Sequence, residues 1–381
     1  MKPNQSYQRY ERQLLLNDFG ITGQEKLHHS RVLMIGAGGL GCPALQYLSA
    51  AGVGTIGILD FDVVELTNLQ RQTLFNVDDI GKYKAQTAAE KLMKFNPDIE
   101  FIVHQTKIES ANAVEIISGY DIVIDGTDNF ATRYLVNDAC VLLHKPLVYG
   151  SVLRYEGQAG VFNLRASDDN YSANYRDLFP EPPRPETVPS CNEAGVLGVL
   201  PGIIGTMQAT EAIKIITGIG TPLSNKILSC NVLENLFYEF EITPSKQKNH
   251  FVPKTIEEFK QFNYEWFCGN TCQHLEISPE EFEILRKKND ITVIDVRECG
   301  ELPLVNEFPY IQLPLSEFED GITKLNLKER VVLFCKSGQR SLTALNLLLE
   351  RYPHCKAYNL EGGIIAYKKS LLTFSVSSAK T

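Results

Sequence analysis

Two short apolar runs near the N-terminus, Val32-Leu33-Met34-Ile35 and Thr55 to Leu59, flank the glycine-rich stretch GAGGLG, Gly36 to Gly41, and a segment whose helix begins near Pro43. The whole stretch from Val32 to Leu59 lacks a charged residue and is long enough to cross a bilayer. Its glycines instead divide it into strand, turn, helix and strand, which reads as a buried βαβ unit. Asp121 to Ile124 is a further apolar strand, and it runs straight into Asp125-Gly-Thr-Asp128. Ala194 to Thr210 is uncharged and glycine-rich, a buried core element, and Glu211 to Ile216 is helical by pattern. From Thr243 to Cys272 the chain turns polar and irregular, as a linker does. Beyond it, Val331 to Phe334 reads as a strand, and Leu342, Leu345, Leu348 and Leu349 mark one face of a helix. The expected fold is α/β: a Rossmann-like domain with a mostly parallel sheet over 1–243, a linker at 244–275, a smaller α/β domain at 276–372 and a flexible tail at 373–381.

Composition agrees with two domains, since 381 residues of which 44% are hydrophobic exceed one ordinary core. A net charge of −9 without a basic run argues against direct nucleic-acid binding. The first thirty residues are charged and lack an apolar segment, so a cytoplasmic protein is expected. Nine cysteines, an odd number, point to free thiols and not to a disulfide framework.

The glycine stretch carries the first candidate chemistry. Gly36, Gly38, Gly39 and Gly41 permit a tight strand-to-helix turn, and the following helix aims its positive end at an anion. Asp60, at the end of the second run, stands where an acidic side chain meets ribose hydroxyls. A dinucleotide pyrophosphate is satisfied by backbone amides, whereas a triphosphate needs cations or a metal, a demand that Arg71 and Lys84 fit. Glycine turns also occur in proteins that bind no nucleotide, and that structural reading stays open on these residues alone. Asp128 follows a strand at a carboxyl edge, where open α/β sheets bind ligands, and its hard oxygen suits Mg²⁺.

The segments LDFDVVELTNLQRQTLF (Leu59 to Phe75), GKYKA (Gly81 to Ala85) and DGTDNFATRY (Asp125 to Tyr134), with RYERQ (Arg9 to Gln13) and Pro189 to Lys214, resemble the MoeB/ThiF family, bacterial relatives of ubiquitin-activating enzymes. The resemblance runs from about Tyr7 to Ile242. It implies ATP as the nucleotide, with Asp60 on the ribose, Asn68, Arg71 and Lys84 on the phosphates, and Asp128 on magnesium. Asp62, Gln72 and Asn129 join the nucleotide-binding set, Arg71 also counts as catalytic, and Arg12 reaches the ATP of a neighbouring subunit in a homodimer. Members often carry two C-x-x-C pairs for zinc. Here Asn174-Tyr175-Arg176-Asp177 occupies the first place and Pro244 to Asn249 has no cysteine, so no structural zinc is expected and the chain stands nearer the zinc-free, rhodanese-fused branch.

Most cysteines read as small buried residues: Cys42, Cys140, Cys230 and Cys355 lie in or beside apolar runs. Cys268 and Cys272 form a lone C-x-x-x-C near His274, too few ligands for a structural zinc site. Cys299 has no assigned role. Cys191 follows a loop with five prolines between Pro180 and Pro189, able to carry a thiol over a bound ligand. In the family the matching cysteine captures an activated acyl group or resolves a disulfide; an inert loop cysteine is the other reading. Cys335 opens CKSGQRS between a strand and a helix, where successive amides with Lys336 and Arg340 favour a thiolate and then a persulfide. The loop resembles the active-site loop of rhodanese sulfurtransferases, as do ITVIDVRE (Ile291 to Glu298) and NLEGG (Asn359 to Gly363), over about Glu276 to Leu372. Phe308-Pro309-Tyr310 replaces the usual Ile-Pro-Gly turn.

Together the resemblances imply an adenylyltransferase and sulfurtransferase, with Cys191, Cys335, Arg340 and Arg71 as its catalytic residues. It adenylates the C-terminal glycine of a ubiquitin-like sulfur carrier ending in Gly-Gly and converts it to a thiocarboxylate, taking sulfur from a cysteine desulfurase or thiosulfate. Fusion to a rhodanese domain leans toward molybdopterin biosynthesis; thiamine, cysteine and tRNA-thiolation carriers end alike and stay open. An NAD-dependent oxidoreductase would share the glycine loop and Asp60 but leaves Arg71, Lys84 and Cys335 unexplained. A docking protein with an inactive second domain is the remaining alternative.

Overall fold

The computed structural model describes residues 5–167, 170–180, 182, 194–244, 252–268, 275–287, 291–325, 327–328, 330–352 and 355–377. Contacts divide the chain into two compact units, Met1–Cys268 and Gly269–Thr381.

The first unit is built on eight strands: β1 (Arg31–Ile35), β2 (Thr55–Leu59), β3 (Glu100–His104), β4 (Ile122–Asp125), β5 (Leu147–Leu153), β6 (Glu156–Phe162), and, after the small hairpin β7 (Arg165–Ser167) and β8 (Asn170–Tyr171), β9 (Lys226–Asn231) and β10 (Leu236–Glu241). Their order is β10-β9-β6-β5-β4-β1-β2-β3. The five strands from β5 to β3 run parallel, and β6, β9 and β10 extend the sheet antiparallel. Parallel strands covered on both faces read as continuous apolar runs, and side-chain alternation sends each face into a different core. In β1, Val32 and Met34 join one core with Leu45 and Leu48, whereas Leu33 and Ile35 join the other with Tyr134 and Leu135. The chain leaves β1 toward β2 on one side and returns to β4 on the other. That reversal opens a crevice at the carboxyl ends of β1 and β4.

Two expectations are revised here. From Leu200 the glycine-rich stretch is largely buried, as expected, but it is continuous with Glu211 to Ile216 in one 19-residue helix, Val199–Thr217. Its glycine is needed for contact: a Cβ on Gly205 would lie 2.2 Å from the Leu40 carbonyl oxygen. The presumed linker is structured in its described part, where Ile256–Gln261 and Tyr264–Phe267 form short helices. Phe259, Tyr264 and Cys268 are buried in the first unit's core, and the Tyr264 hydroxyl donates to Asp138 at 2.8 Å. The same carboxylate receives the Arg176 guanidinium at 2.7 and 2.8 Å, so the first C-x-x-C position holds a buried ion pair.

The second unit has five parallel strands in the order β11-β15-β14-β12-β13: β11 (Glu276–Ile277), β12 (Ile291–Asp295), β13 (Ile311–Gln312), β14 (Arg330–Phe334) and β15 (Lys356–Leu360). Phe308, at the departure from Ile-Pro-Gly, is buried and meets Phe282, Tyr367 and Phe334 edge-on at 4.9, 5.2 and 5.4 Å. The substitution adds an aromatic to the core. The last helix, Gly363–Ser377, runs into the expected tail. Among the described residues no helix is long and apolar enough to cross a membrane.

Candidate active sites

At the crevice the glycine loop closes on itself. Gly36 has φ +90, and a Cβ on Gly41 would lie 2.0 Å from the Gly36 carbonyl oxygen, so side chains are excluded at both ends of the turn. The loop then enters the Gly41–Ala51 helix, in which Pro43 occupies the third position. Among the described residues the amides of Gly38, Gly39 and Leu40 donate to no protein group. Unpaired amides at the start of an 11-residue helix are what an anion binds.

Asp60 is buried, and its two oxygens accept the amides of Ala37 and Asp62, each at 2.8 Å. Burial pushes its carboxyl up, opposed by the Asp62 amide, the Lys84 charge and the Ala37 amide. Lys84 is buried and held by Asp62 at 3.0 Å. Asp62 thus positions the cation. The turn after β2 brings the next residues round: Asn68 accepts the Glu65 amide, and its own carbonyl receives the amides of Arg71 and Gln72. The Arg71 stem and the Gln72 amide stand 3.4 and 3.7 Å from where Cβ atoms of Gly39 and Gly38 would be. Gln72 Oε1 is buried without a hydrogen-bond partner, an acceptor left over for a ligand donor.

On the other lip, a Cβ on Gly36 would lie 2.9 Å from the Gly126 carbonyl oxygen, which sets the loop after β4 against the glycine turn. Asp128 and Asn129 are exposed there; Asn129 caps the Phe130–Leu142 helix by accepting the Thr132 amide at 2.9 Å. Arg12 is elsewhere. It is exposed, and its neighbour Gln13 donates to the Ala51 carbonyl at 2.8 Å. That is the far end of the 11-residue helix, about 15 Å from the glycine loop at 1.5 Å per residue.

In the second unit β14 delivers Cys335 into a loop that ends at the Gln339–Arg351 helix. Gly338 (φ +93) turns its amide back onto the sulfur at 3.2 Å, and the Ser341 hydroxyl donates to it at 3.4 Å. Burial pushes the thiol up, but the Ser341 hydroxyl and the amides of Ser341, Ser337 and Gly338 outweigh it, so the Cys335 pKa is lowered. Burial drives the other displaced thiols the opposite way, Cys42 and Cys268 up to about 12, and Cys140, Cys230 and Cys355 also upward. Cys42, Cys140 and Cys230 are buried as expected, whereas Cys355 is half-exposed and Cys299 exposed.

Dipoles, more than cations, favour the thiolate. Lys336 is exposed, and Arg340 forms a two-pronged ion pair with Glu301 at 2.5 and 2.7 Å. Glu301 went unnoticed in the sequence, and the Asp-Val-Arg motif explains its position. Buried Asp295 holds Arg297 at 2.6 Å, and Arg297 donates to the carbonyls of Glu301 and Pro303 at 3.2 and 2.8 Å. The Gly-Gly after β15 closes the loop from behind: a Cβ on Gly363 would lie 2.5 Å from the Cys335 carbonyl oxygen. That same oxygen accepts the Ile364 amide at 2.9 Å. Cys191, Cys272 and His274 lie outside the described residues.

The ThiF family model matches residues 10–252. The chain belongs to the ThiF family. In this ThiF chain a Rhodanese-like domain model matches residues 278–370 as well. The probable adenylyltransferase/sulfurtransferase MoeZ of Mycobacterium tuberculosis is 43% identical over 373 residues, 95% of this chain and 93% of that one. The adenylyltransferase and sulfurtransferase MOCS3 of Drosophila grimshawi is 38% identical over 389 residues, 97% of this chain and 85% of that one. The crystal structure of E. coli MccB with ATP superposes with a TM-score of 0.52 at 23% identity, covering 63% of this chain and 73% of that one. That likeness is one of fold.

Proposed function

We propose that this chain adenylates the C-terminal glycine of a small ubiquitin-like sulfur-carrier protein and replaces the AMP by sulfur, yielding a thiocarboxylate. The observation that carries this reading is the pairing, on one chain, of a glycine turn whose amides are unpaired among the described residues, beside Asp60 and Lys84, with a loop that lowers one thiol's pKa while burial raises others. Two named relatives described above carry both activities in their names and align over nearly the whole chain.

In this reading Asp60 accepts from the ribose hydroxyls. The free amides of the glycine loop, with Asn68, Arg71, Gln72 and Lys84, hold the phosphates while the carrier's carboxylate attacks the α-phosphorus and pyrophosphate leaves. Asp128 fits magnesium: it is a hard, exposed carboxylate at the lip of the phosphate cradle, and Mg²⁺ commonly takes one or two carboxylates beside substrate phosphates. Magnesium bound there supplies positive charge to the phosphates. The terminal sulfur of a Cys335 persulfide then attacks the acyl carbonyl and AMP departs, leaving an acyl disulfide. A second thiol, Cys191 or an external reductant, attacks the Cys335 sulfur and frees the thiocarboxylate. Arg340, locked by Glu301, positions the loop. Sulfur reaches Cys335 from a cysteine desulfurase or from thiosulfate.

In the same reading Arg12 completes a neighbour's nucleotide site in a homodimer, which is supported by the tie of its neighbour Gln13 to the far end of the helix that starts at the glycine loop. We place the protein in the cytoplasm and its pathway in molybdopterin synthesis, on the weight of the rhodanese fusion. Incubating the chain with ATP, a persulfide donor and each candidate Gly-Gly-ended carrier tests both levels. The carrier that gains the mass of sulfur for oxygen identifies the pathway, and no gain with any carrier overturns the reading.

A further inference from the structure

The loop between β4 and the Phe130–Leu142 helix is restrained at every residue except at one side chain. The Asp125 carbonyl accepts Gln208 Nε2 at 2.6 Å. The Gly126 amide donates to the Ile35 carbonyl at 2.8 Å, and a Cβ there would lie 2.4 Å from Met34 Cε. The Thr127 amide and hydroxyl both donate to Asp125 Oδ1, at 2.9 and 2.6 Å. The Thr127 carbonyl accepts Arg133 Nη2 at 2.9 Å; Arg133 also donates to Ser151 at 3.1 Å and lies over the Tyr149 ring at 5.5 Å. Asn129 is spent on capping the helix. Among the described residues, the Asp128 carboxylate accepts no hydrogen bond, although the backbone on both sides of it is held.

We propose that Asp125, Thr127 and Arg133 form a positioning relay that presents the unpaired Asp128 carboxylate to the divalent cation of the bound nucleotide. The proposal rests on the reading of Asp128 given above. Asp125 is fully buried, and burial pushes its carboxyl up, opposed by the Arg133 charge and the two Thr127 hydrogen bonds. A turn of this kind closes with the Thr127 amide alone. The hydroxyl is a second bond to the same buried carboxyl oxygen and ties residue 127 by its side chain as well as its backbone. Groups that orient a metal-holding carboxylate typically cost 10–100-fold in metal affinity when removed.

Thr127→Val keeps the shape and deletes the hydroxyl; Thr127→Ser keeps the hydroxyl. Both are made in the full chain, with Asp128→Asn as reference. Mn²⁺ affinity is read from the electron paramagnetic resonance of free Mn²⁺ in the presence of a non-hydrolysable ATP analogue, and metal-free nucleotide affinity by calorimetry. The expected result is Mn²⁺ binding about tenfold weaker in Thr127→Val, restored in Thr127→Ser, with metal-free nucleotide affinity unmoved. Wild-type Mn²⁺ affinity in Thr127→Val, with loss in Asp128→Asn, overturns the relay and leaves Asp128 as the metal residue. Wild-type affinity in Asp128→Asn overturns both. If Thr127→Val does not fold, Ser151→Ala, which removes an acceptor of Arg133, is read in its place: weaker Mn²⁺ binding supports the relay and unchanged binding overturns it.

Discussion

The two sites of this chain handle anions in opposite ways. The sulfur loop is contiguous: Cys335, Ser337, Gly338 and Ser341 lie within seven residues, and their own amides and hydroxyl lower the thiol's pKa while the nearby guanidinium is committed to Glu301. The candidate nucleotide site is assembled from four separate stretches: the glycine turn, the turn after β2, the start of the Lys84–Phe95 helix and the loop after β4. It leaves amides, a carboxylate and an acceptor unpaired. A single thiolate is stabilised by a few fixed dipoles, whereas a polyphosphate needs several charges delivered from different strands to one edge. One site biases a single thiol toward a small negative charge; the other leaves its donors open.

The comparison breaks most sharply if one half can be removed without the other. Asp128→Ala is expected to lower carrier-dependent exchange of pyrophosphate into ATP by at least 10²–10³-fold, the usual effect of losing one key electrostatic group. Alkylation of Cys335 should be untouched. Cys335→Ala should exchange pyrophosphate as before and yield no thiocarboxylate. Full thiocarboxylate yield from that variant would mean the second unit is not the donor.

Next in size is the contrast between a site complete on one chain and one that is not. Arg12→Ala and Asp128→Ala chains, each impaired alone, should regain exchange when mixed, because one hybrid site then carries both intact residues. Verified mixed dimers without recovery would return Arg12 to its own subunit, and then the amide tie between Gln13 and Ala51 would have to release.

How much of each site was legible follows the same contrast. Contiguous chemistry announces itself, and the motif from Cys335 to Arg340 was readable as it stands; so were the glycine turn and Asp60. Residues that act by holding others left little trace. Glu301 is one acidic residue in a loop, and Gln208 lies within an uncharged run. Thr127 and Arg133 lie inside the DGTDNFATRY motif, but only their partners across the fold give them work. The start of the Val199–Thr217 helix was obscured because glycine and proline disfavour helix in isolation, while here close approach to Leu40 requires glycine. The segment before Cys268 read as linker because its aromatics are scattered among polar residues, yet Phe259 and Tyr264 are buried and Phe262 and Phe267 pack beside them.

A smaller effect tests how rigid the sulfur loop must be. Gly363 has φ +60, and its Cβ would also meet the Gly338 amide nitrogen at 2.8 Å, so Gly363→Ala combines backbone strain with a push on the amide that faces the sulfur. A cost of about 1–3 kcal/mol is expected in denaturant unfolding of the second unit. Slower persulfide loading should accompany it while pyrophosphate exchange stays normal. Exchange falling in parallel would show that the two sites share more than a chain.

The finest test concerns which donors lower the Cys335 pKa. Its pKa lies below the ordinary thiol value because the Ser341 hydroxyl and three amides overcome burial, and the hydroxyl is the largest of those favourable contributions. Ser341→Ala removes that donor and leaves the amides, so the folded pKa should rise back toward the ordinary value. The sign follows directly: at a fixed pH below the midpoint less thiolate is present, and the pH profile of iodoacetamide alkylation moves to higher pH. Losing a hydrogen bond worth about 1 kcal/mol corresponds to roughly a fivefold slower alkylation at neutral pH. Glu301→Gln provides the opposing arm. It frees Arg340 from its ion pair, so a profile that moves to lower pH in that variant would show that the guanidinium can join the dipoles once released. If Ser341→Ala leaves the profile in place while Glu301→Gln shifts it, the loop depends on cation charge after all, and its contrast with the nucleotide site narrows to one of size.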